Sequence, residues 1–414
     1  MKRLGAVLTC LLLCLSMADS KSAFQITPPS QPIPAAYFGM HIHNVIAPSR
    51  TGARTPWPSL PVPTWRLWDS QVTWADIEPN KGQWKFDLLD KYLALADAHQ
   101  AEILLPLGVT PQWASSQPDM KSGWQQPGRT APPRDIQDWR DYVTKVANHC
   151  KGHIHEYEIW NEPNLKQYWV GTPEQLVALT HEAHDIIKGI DPSALIVSPA
   201  ATTSAGIGWL TEFLGSGGAQ YIDVVGYHLY VAPKQPEDIL GLIQRVKQAM
   251  ASNGAGDKPI WCTEIGWQDP KPFPSDELGA AYLTRVFILA WASGVQRVYW
   301  YSWDNHSGVS LETTTPDNQT AKAAGLAYGI VQQWLSGATM NSCNRGTDDS
   351  WSCQITKNGA PAAIVWNASG PASFKVPSSW HVAGITSLLG QSQAVGGGTV
   401  AINTTPQLLS SSSQ

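Results

Sequence analysis

Two glutamates carry the chemistry this chain could do. Glu162 stands in YEIWNEPN, between Asn161 and the strand-halting Pro163, just past a strand-like run from Ile154 to Trp160. Glu264 stands in PIWCTEIGW, at the end of a second strand-like run. Two carboxylates facing one cleft are what cleavage of a glycosidic bond needs. One must hold a proton near neutral pH for the leaving oxygen, and the other must stay ionised to attack the anomeric carbon or activate water. Mutual repulsion and burial would set their pKa values apart.

Such a pair needs a scaffold that brings distant strand ends to one face. Eight short apolar runs (37–42, 64–68, 102–107, 155–160, 195–199, 222–227, 259–263 and 298–302) alternate with helix-period segments such as FDLLDKYLALADAHQ, PEQLVALTHEAHDIIKGI, EDILGLIQRVKQAM and ELGAAYLTRVFILAWAS. Asp87, Thr172-Pro173 and Ser275-Asp276 read as helix starts. Eight βα units predict an α/β fold, a closed (β/α)8 TIM barrel, over residues 25–338, whose strand ends gather the catalytic groups. From Thr339 helical periodicity gives way to short strand-like pieces split by Gly, Ser, Pro and Asn, predicting a small C-terminal β-sandwich-like domain over 339–414.

At the same lip the strand ends offer supporting groups: His41 and His43 from the first, Arg66 from the second, Tyr227, His228 and Tyr230 from the sixth, and Trp300, Tyr301, Trp303 and Asp304 from the eighth. Such mixed polar and aromatic residues suit a sugar, with hydroxyls on its edge and C–H groups on its faces. Each also has a plainer role open to it: a buried ion-pair partner for Arg66, a satisfied core histidine for His41 or His228. Trp74 and Trp84 read as loop packing, and Glu78 and Glu102 as structural. Trp113, Trp124 and Trp169, in the loops after strands three and four, would extend a cleft toward endo-action on a polymer.

Composition narrows the class. The chain has 414 residues, 43% hydrophobic and 15% charged, so a large core is expected. A net charge of −5 supplies no basic stripe for nucleic acid. Twenty tryptophans exceed ordinary usage. Residues 1–20 pair Lys2 and Arg3 with an apolar run and small residues near Ser20, as a signal peptide does; this predicts a secreted or periplasmic protein with no membrane insertion. In an oxidising compartment Cys343 and Cys353, flanking a turn-rich loop, are expected to form a disulfide, whereas Cys150 and Cys262 read as buried thiols.

EIWNEPNLKQYWVGTPEQLVAL followed by IKGIDPSALIVSPA resembles glycoside hydrolase family 39 and its clan A relatives, as do TWRLWDSQVTWADIEPNKGQWKFDLLD, DVVGYHLY and PIWCTEIGW, over roughly residues 37–336. The resemblance implies a retaining, double-displacement glycosidase with Glu162 as acid/base and Glu264 as nucleophile. By the same resemblance Asn161 binds the sugar 2-hydroxyl, Tyr230 orients the nucleophile with His228 beside it, and Arg66 lies near the nucleophile. Trp303, or less favourably Trp300, floors the subsite of the cleaved sugar, and the C-terminal region matches an accessory β-domain. The partner is a carbohydrate, and no metal or organic cofactor is implied. Family members cut β-xylosides, α-linked uronic acids, arabinosides and bacterial exopolysaccharides, so exo-action like that of a β-xylosidase, transglycosylation and non-catalytic carbohydrate binding stand as alternatives.

Overall fold

The computed structural model describes residues 23–46, 53–123, 126–269, 271, 273–395 and 398–411. The expected signal peptide and Trp124 lie outside them.

Eight parallel strands form the barrel: Phe38–Met40, Thr64–Arg66, Glu102–Leu107, Glu156–Ile159, a split fifth (Leu195–Val197 and Ala201–Thr202), Val225–His228, Ile260–Ile265 and Val295–Trp300. The two halves of the fifth strand occupy opposite ends of the hydrogen-bonded order, and bridges from Val197 to Val224 and from Asn161 to Ala200 join them. The sheet therefore closes on itself. Helices Asp87–His99, Ile136–Cys150, Pro173–Ile190, Gly206–Gly215, Ile239–Ser252, Asp276–Ala292 and Ala323–Leu335 follow strands two to eight; among the described residues none follows strand one. Strand eight starts three residues earlier than expected, and strand seven runs two further.

Helix starts follow elementary capping. Thr172 accepts from the Gln175 amide while the Gln175 side chain returns a bond to the Thr172 amide, with Pro173 as first helical residue. Ser275 accepts from the Leu278 amide. Asp87 departs from expectation: it is itself the first helical residue, and the N-cap is Phe86, without a side-chain bond.

Alternation along the strands decides what fills the barrel. Leu104, Val197, Val224, Trp261 and Tyr299 form a plug of their own, separate from the large cluster between strands and helices. Arg66 and Glu158 meet above it, and Gly226 leaves room for Glu158: a Cβ there would lie 3.3 Å from Glu158 Oε1 and 2.9 Å from Val197. One aspartate ties the first strand's exit to the eighth's. Asp304 accepts from the amides of His43 and Asn44 (2.8 and 2.7 Å) and from the Thr55 hydroxyl (2.6 Å).

Beyond Leu335 the chain supplies six strands of a seven-stranded antiparallel sheet and a two-stranded ribbon, Ala372–Lys375 with Thr399–Ile402. The ribbon and the sheet enclose Val365, Val376, Ile385, Val400, Ile402 and Leu409. The seventh strand is Phe24–Ile26, which pairs with Thr339–Arg345 at the edge of this sheet although the span expected for the barrel began at residue 25. Trp366 Nε1 donates to Glu237 (2.9 Å), and Arg285 bonds both Glu237 and the Thr404 carbonyl, linking the β-region to the barrel. Cys343 and Cys353 are cross-strand partners joined by a disulfide, as expected. Cys150 and Cys262 are buried free thiols, each pushed up to about 12 by burial. Among the described residues no helix is long and apolar enough to cross a membrane.

Asp304→Ala would leave two amides and a hydroxyl buried without their acceptor. The expected loss is about 3 kcal/mol of stability, read as a lower urea midpoint, with Asp304→Asn restoring part of it.

Candidate active site

The site is built around a buried guanidinium. Arg66, wholly buried at the end of strand two, donates from Nε to Glu158 (2.7 Å), from Nη1 to Glu264 (2.8 Å) and from Nη2 to the Asn161 side-chain oxygen (2.8 Å). That last bond fixes the Asn161 amide, because the oxygen is occupied and the NH2 end is left to donate. Glu158 was missed by sequence reasoning. Its signal was there: a carboxylate on the inward face of a fully buried strand needs a cation, and Arg66 stands on the adjoining side of the barrel.

Local backbone irregularities aim both candidate catalytic carboxylates. On strand seven, Tyr227 and His228 face Cys262 and Glu264, while Val298 and Trp300 face Cys262 and Ile265. Both neighbours thus record an extra residue at Thr263–Glu264. This bulge turns Glu264 inward, where uninterrupted alternation from the inward Trp261 would point it out. Gly266 follows at a point where a Cβ would sit 2.1 Å from the Tyr301 carbonyl, so strands seven and eight approach this closely only with glycine there. At the end of strand four, Trp160 and Glu162 both take left-handed backbone (φ 65° and 44°), a conformation costly for non-glycine residues. The Glu162 amide donates to the Ala200 carbonyl and the Leu165 amide closes a turn onto the Glu162 carbonyl, with Pro163 at the turn's second position. As read from the sequence, Pro163 leads the chain away from the mouth.

Glu162, His228 and Glu264 converge so that one ligand-type atom from each lies within 4.8 Å of the others. His228 Nδ1 bonds Glu162 Oε1 (2.9 Å), and Tyr230 donates its hydroxyl to Glu264 Oε1 (2.8 Å). Burial pushes Glu162 up to about 7, the Asp69 charge adds to this, and Arg66 opposes it. Burial raises Glu264 too, but here Arg66 and the Tyr230 hydroxyl bond the carboxylate directly and resist the rise. His228 is pushed down to about 4 by burial and so meets Glu162 as a neutral imidazole. A proton shared by two carboxylates this close therefore resides on Glu162, which has no cation bonded to it. The same three residues could hold a metal ion, but the Arg66 and Tyr230 bonds already occupy both Glu264 oxygens and suit a carboxylate acting by itself.

Other expected residues are placed differently. His41 is buried with Nε2 3.1 Å from the Thr263 carbonyl, and burial, then Arg66, keep it neutral; it braces the bulge. Trp300 is wholly buried and turned to the helix layer, 6.5 Å from Tyr282, so it offers no face to a sugar. Trp303 is nearly buried, and a Cβ at Gly325 would meet its ring at 3.2 Å, so it packs on the last barrel helix. Strand eight contributes Tyr301 instead. Its ring centroid lies 5.0 and 5.2 Å from those of His41 and His43, and its hydroxyl donates to Asp69 (2.7 Å). The period-two rule held this answer: Tyr299 points in, so Tyr301 does and Trp300 does not.

Trp169 and Trp113 do not line an extended cleft. Trp169 is buried against Trp160 (4.7 Å between centroids), and Trp113 packs on Trp74 and bonds the Glu78 carbonyl. Trp74 stacks on Tyr142, as a packing residue should. Glu78 accepts from Trp74 and the Gly82 amide, and Glu102 pairs with Arg297.

The alkaline limb of a pH–rate profile is expected near about 7, where Glu162 loses its proton. Tyr230→Phe removes a donor that favours ionised Glu264. The Glu264 pKa should rise and carry the acid limb up by about one pH unit, with the alkaline limb staying in place; a stationary acid limb would exclude this role for Tyr230.

Residues 134–328 match the family model described as glycosyl hydrolase catalytic core. A β-xylosidase from Geobacillus stearothermophilus is 26% identical over 317 residues, 68% of this chain and 60% of that protein. A β-xylosidase from Caldicellulosiruptor saccharolyticus is 30% identical over 193 residues, 41% of this chain and 38% of that protein. The chain thus spans no more than 60% of the length of these relatives. Among solved structures, a family 39 glycoside hydrolase from Bacteroides cellulosilyticus superposes with a TM-score of 0.69 at 18% identity, covering 92% of this chain and 81% of that one. In fold and in sequence, the chain resembles the family 39 glycoside hydrolases.

Proposed function

We propose that the protein is a retaining glycoside hydrolase, with Glu162 as acid/base and Glu264 as nucleophile. The observation that carries this is the short approach of the two carboxylates, with donors asymmetrically bonded to Glu264. One oxygen of each lies within 4.8 Å of the other, near the separation of about 5–5.5 Å that direct attack uses and short of the roughly 6.5–9.5 Å that leaves room for a water.

In the first step Glu162 gives its proton to the glycosidic oxygen as the C1–O bond breaks. A Glu264 oxygen bonds to C1, yielding a glycosyl ester and the departing alcohol. In the second step Glu162, now a carboxylate, takes a proton from water as the water oxygen bonds to C1 and the ester bond returns its electrons to Glu264. The Asn161 NH2 is poised to donate to the sugar 2-hydroxyl, a contact that tightens in the transition state. Interception of the ester by a sugar hydroxyl would make the same site a transglycosylase.

A second observation bears on where a chain is cut. The described loop tryptophans that favoured endo-action are packed into the wall, and the matched relatives are named β-xylosidases. Both favour exo-release of single sugars. The basic-then-apolar residues 1–20 support export.

Mass spectrometry of products from chromogenic glycosides and plant and bacterial polysaccharides tests the reading. Cleavage by the unaltered protein, and a loss of roughly 10⁴-fold in Glu264→Gln, is the expected outcome; oligosaccharide products in place of monosaccharides would reverse the exo assignment. Equal activity in Glu264→Gln would refute the nucleophile.

A further inference from the structure

Just past Arg66, in the WDS segment, Asp69 is a third carboxylate at the mouth, and the bond-cleaving steps do not use it. It is half-buried, held in left-handed backbone (φ 60°) at the exit of strand two. Asn305 Nδ2 donates to the Tyr301 hydroxyl (2.8 Å), and that hydroxyl donates to Asp69 Oδ2 (2.7 Å). The chain of bonds commits the Tyr301 proton to Asp69 and fixes where the carboxylate stands. Its charge reaches Glu162, His43, Tyr168 and Tyr301.

We infer that Asp69, set by Tyr301 and Asn305, is a specificity-determining residue that admits neutral or amino sugars and rejects uronic acids. An aspartate that has already received the Tyr301 proton bond can only accept further bonds. Sugar hydroxyls and ammonium groups donate, whereas a sugar carboxylate is itself an acceptor carrying the same charge. Arg66, the cation at the centre of the site, is committed to Glu158, Glu264 and Asn161 and is wholly buried. The nearby His43 faces its own counter-charge: burial works against its protonation, Asp304, 3.4 Å from Nδ1, favours it, and any charge His43 carries is matched by that aspartate. A uronate entering beside Asp69 would thus meet a like charge whose partner is a neutral phenol.

The inference rests on the glycosidase reading, and the test separates the two. Hydrolysis of 4-nitrophenyl β-glucoside, β-xyloside and β-glucuronide would be compared for the unaltered protein and Asp69→Asn. Glucoside and glucuronide differ only at C6. Asparagine keeps the shape, tolerates left-handed backbone and removes the charge. The expected kcat/KM ratio of glucoside to glucuronide is roughly 30-fold or more in the unaltered protein, falling about tenfold in Asp69→Asn. A loss from misplaced structure alone would lower both rates and leave the ratio unchanged, which would overturn the assignment. Glucuronide cleaved as fast as glucoside by the unaltered protein would overturn it without recourse to the variant. Cleavage of no glycoside, charged or neutral, would remove the glycosidase reading and this inference with it.

Discussion

The site depends on one buried cation. A guanidinium without water must be met by oxygens on several sides, and Arg66 is met by Glu158, Glu264 and Asn161 from strands four and seven. Removing any one partner leaves charge or donors stranded in a low-dielectric interior. That requirement holds the strand ends in register and fixes three functional details together. It favours the ionised form of Glu264 against burial, occupies the oxygen of Asn161 so that its donor end is left free, and leaves Glu162 as the carboxyl with no bonded cation. The division of labour proposed for two chemically identical side chains follows from which of them Arg66 touches.

Regular structure could not supply this arrangement. A parallel barrel places every second side chain inside, and strict alternation would have turned Glu264 away. The extra residue at Thr263–Glu264 corrects its direction, and His41 braces the bulge through the Thr263 carbonyl. At strand four the correction is left-handed backbone at Trp160 and Glu162, held by amide bonds to Leu107 and Ala200. Both deviations sit at the carboxylates proposed to react, and the core beneath them is ordinary packed strand.

Much of this was legible in the sequence because a few residues carry strong local rules. The NEP turn, the paired strand-end glutamates, the Thr172 and Ser275 helix starts and the cross-strand cysteines all appear where expected. Boundaries slipped by up to three residues, since apolar runs do not mark where hydrogen bonding stops. Tryptophan content misled: Trp300, Trp303, Trp169 and Trp113 fill walls and helix contacts, and the strand-eight ring beside His41, His43 and Asp69 is Tyr301. Residue type pointed to tryptophan, while the alternation anchored at Tyr299 pointed to Tyr301. Glu158 was hidden for another reason, because its role exists only through a partner on another strand. The edge placement of Phe24–Ile26 is likewise non-local, decided by a strand more than three hundred residues later.

The central claim is that Glu264 attacks the anomeric carbon directly and Glu162 serves both steps. Proton NMR of the anomeric signals during the first minutes of hydrolysis tests it, before mutarotation mixes the products. A first-formed sugar with the configuration of the substrate is the expected result. A first-formed sugar of the opposite configuration would mean that water, not Glu264, attacks C1, and would contradict the assignment of the two glutamates.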